Sequence, residues 1–382
     1  MSYPYETLPD GFALQMSGLA TRLREETAIN QVIADADPLG ADRTFQQLPA
    51  LNERHDTEGI IRTLEQAVAN GQNLPEWSFT HCSAAIRDLC VLGASLVRFG
   101  REPADYVPGF SNVLLALSAK IAAHIPRDSF IDYTSRNPAN ERERTFTSLQ
   151  QEKIFIDSLR QGMSSLNACL INVITACIFP LSHQDFAAYF HAATISFQMM
   201  IDAIVQVKRG ITPEIFTHYI RPFFEPFHVA ERAFSAPSGA EMPILNIDQI
   251  IWGADCTDEL YTTYFRANII RLPVIYQEIN QAFAGQKSLM TMLKSRLLSP
   301  IPLSQTERSS IQAIHHLLTK MYTFRMPHYK VAEENVILRQ LEHGEEQQAV
   351  KGSSGFGLPE TKYVLDQTIK CRQLTAQALS QT

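Results

Sequence analysis

The sequence predicts an all-α protein. Apolar residues recur at helical spacing almost everywhere along its 382 residues, and alternating strand-like runs bounded by turn residues are hard to find. Seventeen Gly and 20 Pro are modest counts for this length, which disfavours many-turned β architectures. Taken in order, Gly59-Ile60-Ile61, Leu64 and Ala67-Val68 form one amphipathic stripe. A second begins near Thr80, runs through Ile86, Leu89, Leu92, Leu96 and Phe99, and stops at Gly100. A third occupies 111–123 and ends before Pro126. Long helical patterns follow at 151–178, 184–209, 213–222, 257–284, 305–342 and 360–379.

The length predicts two to three domains, or one large domain with a smaller attachment. Residues 135–147 (SRNPANERERTFT) offer few side chains that pack, so a boundary or an exposed crossover is expected there. Residues 342–359 (EHGEEQQAVKGSSGFGLP) are polar and then rich in Gly and Ser, which predicts a mobile segment.

A hydrophobic content of 45% with 19% charged residues is that of an ordinary globular chain. The net charge of -7 repels nucleic acid and anionic lipid, and no basic patch offsets it. The start, MSYPYETLPDGF, lacks the basic and apolar regions of a secretory signal. The most apolar stretch, 166–179, is interrupted by Asn167, Asn172 and Thr175 and reads as a buried helix, so no membrane span is expected. Six scattered Cys form neither a metal pattern nor a disulfide framework, which predicts a cytoplasmic protein with reduced thiols.

Phosphate-loop, dinucleotide, zinc-protease and nucleophile-elbow motifs are absent. What remains are polar residues in apolar helical surroundings. His328 follows Pro327, which is expected to kink or restart the helix, and has Arg325 and Lys330 near it. An imidazole so placed is either hydrogen-bonded and structural or an iron ligand with the two cations on haem propionates. The adjacent His315 and His316 point about 100° apart and read as structural. Arg221 ends a helix before Pro222 among five aromatic residues, and either pairs with an acid such as Glu225 or meets a ligand carboxylate. The run from Gly352 to Gly357 is either a plain linker or a lid offering backbone N–H groups and the Ser353 hydroxyl.

Those three features lie in an ordered series with Asp37-Pro38-Leu39, Gln47-Leu48-Pro49-Ala50-Leu51-Asn52, Ala85-Ile86-Arg87-Asp88, the run from Gly100 to Gly109, Glu241-Met242-Pro243, and Phe324-Arg325 with Pro327-His328 and Lys330. In that series the chain resembles the haem-dependent tryptophan and indoleamine 2,3-dioxygenase superfamily, most closely its monodechloroaminopyrrolnitrin synthase branch. The resemblance implies a smaller N-terminal helical domain, 1–140, over a larger haem-binding one, 141–382, with a mobile loop at 342–359. It implies b-type haem with His328 as proximal iron ligand. It further implies Arg221 on the substrate carboxylate, Phe216 lining the distal pocket, Ser353 near the substrate's amino end, and the Ser238-Gly239 segment against the haem. The implied activity is oxidation of tryptophan or a related indole amino acid by O2 or peroxide. A haem protein that senses or stores a ligand without turnover, and a haem-free binder of aromatic amino acids, are the rival readings. The loop here reads Gly-Ser-Ser-Gly where the dioxygenases carry Gly-Thr-Gly-Gly, and Val336 stands where the pyrrolnitrin-type enzyme has a Tyr. Ala332 occupies the position at which related tyrosine hydroxylases carry the Cys that attaches haem, so the cofactor is expected to be non-covalent.

Overall fold

The computed structural model describes residues 11–73, 78–123, 125–343 and 357–380. Among these the fold is all-α, as expected: sixteen α-helices and one two-stranded hairpin, in which Phe227–Val229 pairs antiparallel with Arg232–Phe234. None of the described helices is long and apolar enough to cross a membrane. The chain divides into two compact units that are discontinuous in sequence. One comprises Thr27–Met163 and Ala203–Glu241; the other takes Ser164–Asp202 and Met242–Thr382 with the residues before Thr27. The helices Phe12–Asp35, Gln150–Ala176 and Gln184–Gly210 each begin in one unit and end in the other, so this partition differs from a single division at 140/141.

In the unit built on Thr27–Met163, the helices Asp42–Glu53, Thr57–Gln72, Phe79–Val97 and Phe110–Lys120 enclose a core that includes Phe45, Leu48, Leu64, Leu89, Leu92, Phe110 and Leu114. Local chemistry sets their ends. Asp56 caps the second by accepting from the Gly59 amide at 2.8 Å, and Ser78 caps the third by accepting from His81. Gly100 takes φ +71 just beyond the third, as its position in the sequence predicts. Every residue from Cys82 to Leu96 in the Phe79–Val97 helix is buried, including Arg87 and Asp88. A helix buried all round must satisfy its charges internally.

Residues 135–147 supply the partners, and here the structure corrects the expected exposed crossover. Arg136, Asn137, Glu143, Arg144, Thr145, Phe146 and Thr147 are all buried. Arg144 donates through Nε and Nη2 to the two carboxylate oxygens of Asp88, both at 3.1 Å, and through Nη1 to Asp42 at 2.7 Å. Arg87 donates to Asp88 at 2.7 Å and to the carbonyls of Ile33 and Arg136. Burial by itself would raise the Asp88 carboxyl; Arg87 and Arg144 outweigh it and hold the group below its ordinary value. Asn137 closes the segment on itself, accepting from the Arg144 amide at 2.9 Å and donating to the Arg144 carbonyl at 3.0 Å. Charge pairing thus does for this segment what apolar side chains do elsewhere.

Glu152, in the first turn of the Gln150–Ala176 helix, is fully buried and accepts four hydrogen bonds. The donors are the Phe146 amide (2.9 Å), the Thr147 amide and hydroxyl (both 2.7 Å) and the Tyr133 hydroxyl (3.3 Å). Burial outweighs these bonds and pushes its carboxyl up to about 7.

In the other unit, Gln305–His343 and Leu358–Ser380 pack along each other. The first continues through Pro327, so the proline neither restarts nor ends it. A missing N–H frees one carbonyl in the turn before, and packing along a neighbouring helix holds the rest of the ladder. Pro273 does break its helix: the single pattern expected at 257–284 is Glu259–Ile269 followed by Val274–Phe283. The wholly buried segment Ile244–Asp248 continues as one π-helical turn, Gln249–Gly253.

Two measurements test the charged interior. Asp88→Asn leaves Arg87 without its acid in a fully buried place, so urea unfolding should show a loss of about 3–5 kcal/mol; a loss below about 1 kcal/mol would contradict the pairing. Glu152 contributes the opposite pH dependence from Asp88. Its folded carboxyl lies above its ordinary value of 4.5, so its contribution is complete below that value and is lost as pH rises through about 7. Wild-type stability should therefore decline relative to Glu152→Gln between pH 5 and 8, by up to about 3 kcal/mol. Parallel stability curves for the two proteins would exclude this.

Candidate functional site

His328 is exposed on the Gln305–His343 helix. Its Nδ1 lies 2.7 Å from the Phe324 carbonyl one turn earlier, and the Phe324 ring rests against the imidazole at 4.3 Å. A carbonyl only accepts, so Nδ1 carries the hydrogen and the neutral ring has its lone pair on Nε2. This is how a protein orients an imidazole that ligates a metal. Haem iron would take a donor from the chain, and an imidazole held in this way fits that role.

Arg325 and Lys330, the two cations expected beside it, are placed differently. Lys330 is exposed. Arg325 is buried: Nη2 donates to Asp248 at 2.5 Å and Nη1 to the Thr368 hydroxyl at 2.6 Å. The other Asp248 oxygen accepts from the Trp252 indole N–H at 3.0 Å. Burial raises the Asp248 carboxyl above its ordinary value, with Arg325 acting against that rise. Arg325 thereby ties the turn before His328 to the buried 244–253 segment and to the Leu358–Ser380 helix. Sequence reading missed Asp248, although an acid inside Ile244-Leu245-Asn246-Ile247-Asp248-Gln249-Ile250-Ile251 signals a buried partner. His315 is hydrogen-bonded to Thr375 at 2.9 Å, in keeping with its structural reading.

Arg221, Phe216 and Ser238 belong to the unit built on Thr27–Met163. The helix expected at 213–222 is three short turns: Pro213–Ile215, a π turn Phe216–Ile220 and a 3-10 turn Arg221–Phe223. Thr212 caps the first by accepting from the Ile215 amide, and Pro222 withholds a donor from the last. π turns bring side chains into positions a regular helix does not offer. Phe216 is half-buried, its ring 5.4 Å from that of Phe155. Arg221 Nη1 donates to the Phe224 carbonyl at 2.7 Å and to Glu225 at 3.2 Å, so the intramolecular partner weighed in the sequence is present. Glu225 is half-exposed, and both contacts use one nitrogen of the guanidinium.

Ser238 accepts from the Ala240 amide at 3.2 Å in the loop leading to Glu241, whose buried carboxylate accepts from the Phe130 amide at 2.9 Å. Ser353 and the rest of the Gly/Ser loop at 344–356 lie outside the described residues.

Comparison with known protein families gives a match to the family model described as monodechloroaminopyrrolnitrin synthase PrnB over residues 29–339, most of the chain. That span contains His328, Arg325, Lys330, Arg221, Phe216 and Ser238. It also holds the charged interior around Asp88 and Glu152. The chain belongs to the monodechloroaminopyrrolnitrin synthase family, a haem-containing branch of the tryptophan dioxygenase-like proteins, and is an oxidative enzyme of the kind that acts on tryptophan-derived substrates.

Proposed function

We propose that this enzyme oxidises tryptophan or a closely related indole amino acid with O2 or peroxide, using a non-covalent b-type haem whose iron is ligated by His328. The observation that carries the reading is the tethered imidazole, with Nδ1–H on the Phe324 carbonyl and the lone pair on Nε2. Bound there, haem supplies the activation of the oxidant; the chain supplies binding, orientation and exclusion of water.

Arg221 holds the substrate carboxylate. A charge-assisted pair with a planar carboxylate suits a guanidinium, and the exposed Glu225 is a weak competitor because water screens it. Phe216, steadied by Phe155, offers an aromatic face to the indole. The family likeness assigns Ser353 to the amino end of the substrate and the Ser238 loop to the cofactor. Lys330 would pair with a propionate of bound haem, and Arg325, held by Asp248 and Thr368, would offer its remaining N–H groups to a second contact. On the family likeness, the haem-binding part is assigned to 141–382 and the smaller part to 1–140. The reading places the enzyme in the cytoplasm, in keeping with free thiols at all six Cys.

His328→Ala should abolish high-affinity haem binding with far-UV helicity nearly intact, because one axial bond does not hold the long helices together. Added imidazole should partly restore the Soret band. An unchanged haem spectrum in the variant removes His328 from the scheme. Arg221→Leu should weaken tryptophan far more than indole, changing the ratio of their Kd values about 10- to 100-fold for a lost charge-assisted bond of roughly 1.5–3 kcal/mol. Equal loss for both ligands would mean that Arg221 serves only its pair with Glu225.

A further inference from the structure

The Arg221 turn rests on an aromatic platform whose position is set from inside the unit. Phe223 stacks on Phe146 with centroids 4.5 Å apart and planes 8° from parallel. Phe224 meets Tyr133 edge to face at 5.0 Å. These two phenylalanines close the C-terminal end of the turn, and the Phe224 carbonyl takes the Arg221 guanidinium at 2.7 Å. Tyr133 also touches Phe155, at 6.3 Å, and Phe155 supports Phe216. Arg221 and Phe216 therefore both stand on Tyr133, Phe146 and Phe155.

The platform residues Phe146 and Tyr133 meet on one carboxylate. Glu152 Oε1 accepts from the Phe146 amide and the Tyr133 hydroxyl, while Oε2 accepts from the amide and hydroxyl of Thr147. An amide in its place has a single acceptor oxygen and would turn an N–H₂ toward donors. From these contacts we infer that Glu152 is a positioning residue for substrate recognition: it fixes Phe146 and Tyr133, through them Phe223 and Phe224, and so the reach of Arg221 toward the carboxylate of an indole amino acid. Glu152 is fully buried and acts through these residues. The inference rests on the proposed role of Arg221 and specifies how that role is built.

The test compares Kd values of L-tryptophan and indole for haem-loaded wild type, Arg221→Leu, Glu152→Gln and Phe223→Leu, read by spectral titration, with thermal unfolding of each. Phe223→Leu removes the stack on Phe146 while leaving the carboxylate in place, so it decides the matter if Glu152→Gln does not fold. Displacement of a recognition group by about 1 Å costs up to 100-fold. The preference for tryptophan over indole should accordingly fall about tenfold in Glu152→Gln and in Phe223→Leu, with indole affinity close to wild type. An unchanged preference in these variants, beside a collapsed one in Arg221→Leu, overturns the inference and leaves Arg221 as the carboxylate group. Equal weakening of both ligands also overturns it, because a merely structural role predicts that result. An unchanged preference in Arg221→Leu overturns the assignment of Arg221 and the inference with it.

Discussion

A carboxylate with no exposure to water, Asp88, sits between two guanidinium groups, and much of its unit follows from that pairing. An ionised acid inside a helix buried on every side is tolerable only with cations on it. Arg87 comes from the same helix, but Arg144 has to be brought from 56 positions further along the chain. Bringing it in draws the polar 135–147 segment with it, and the backbone groups of that segment then need partners of their own. Asn137 and Arg160 satisfy several of them, and Asn30 accepts from the Arg136 guanidinium. The segment ends at Phe146 and Thr147, whose amides cap the buried Glu152. An interior organised by charge thus leads, without a gap, to the aromatic surface on which Arg221 stands.

The other unit uses the same device. Asp248 and Arg325 pair inside an apolar setting, with Thr368 and Trp252 completing the hydrogen bonds. The pair lies one turn before His328, so the helix that presents the proposed iron ligand is tied to two other segments at that point. A helix carrying a proline at 327 gives up a backbone bond there, and a buried ion pair two residues away is a strong local restraint on the same turn.

The helices were legible in the sequence because their information is local. The stripe from Ile60 to Val68 and the run from Ile86 to Leu96 repeat at helical spacing and end at recognisable caps. The ordered series that includes Arg221 and His328 was legible for a different reason, as a family likeness carried by short motifs. The interior role of 135–147 was not legible, because hydropathy scores each residue alone and Arg144 looks soluble until Asp88 is set against it. Glu152 was missed likewise: nothing in its neighbours along the chain says that Phe146, Thr147 and Tyr133 converge on it. The succession of three kinds of turn over 213–223, and the partners of the Phe223 and Phe224 rings at its end, are not encoded by periodicity.

The polar 135–147 segment belongs to the interior because its charges and amides are satisfied there. Native-state hydrogen exchange resolved at single amides tests it most directly. The amides of Arg144, Phe146 and Thr147, which donate to Asn137 and Glu152, should exchange only when the whole unit unfolds, as slowly as those of Leu89 and Leu92 in the central helix. Exchange of these three amides at the rate of an open loop, while Leu89 and Leu92 stay protected, would show that the segment leaves the interior freely and would contradict the account.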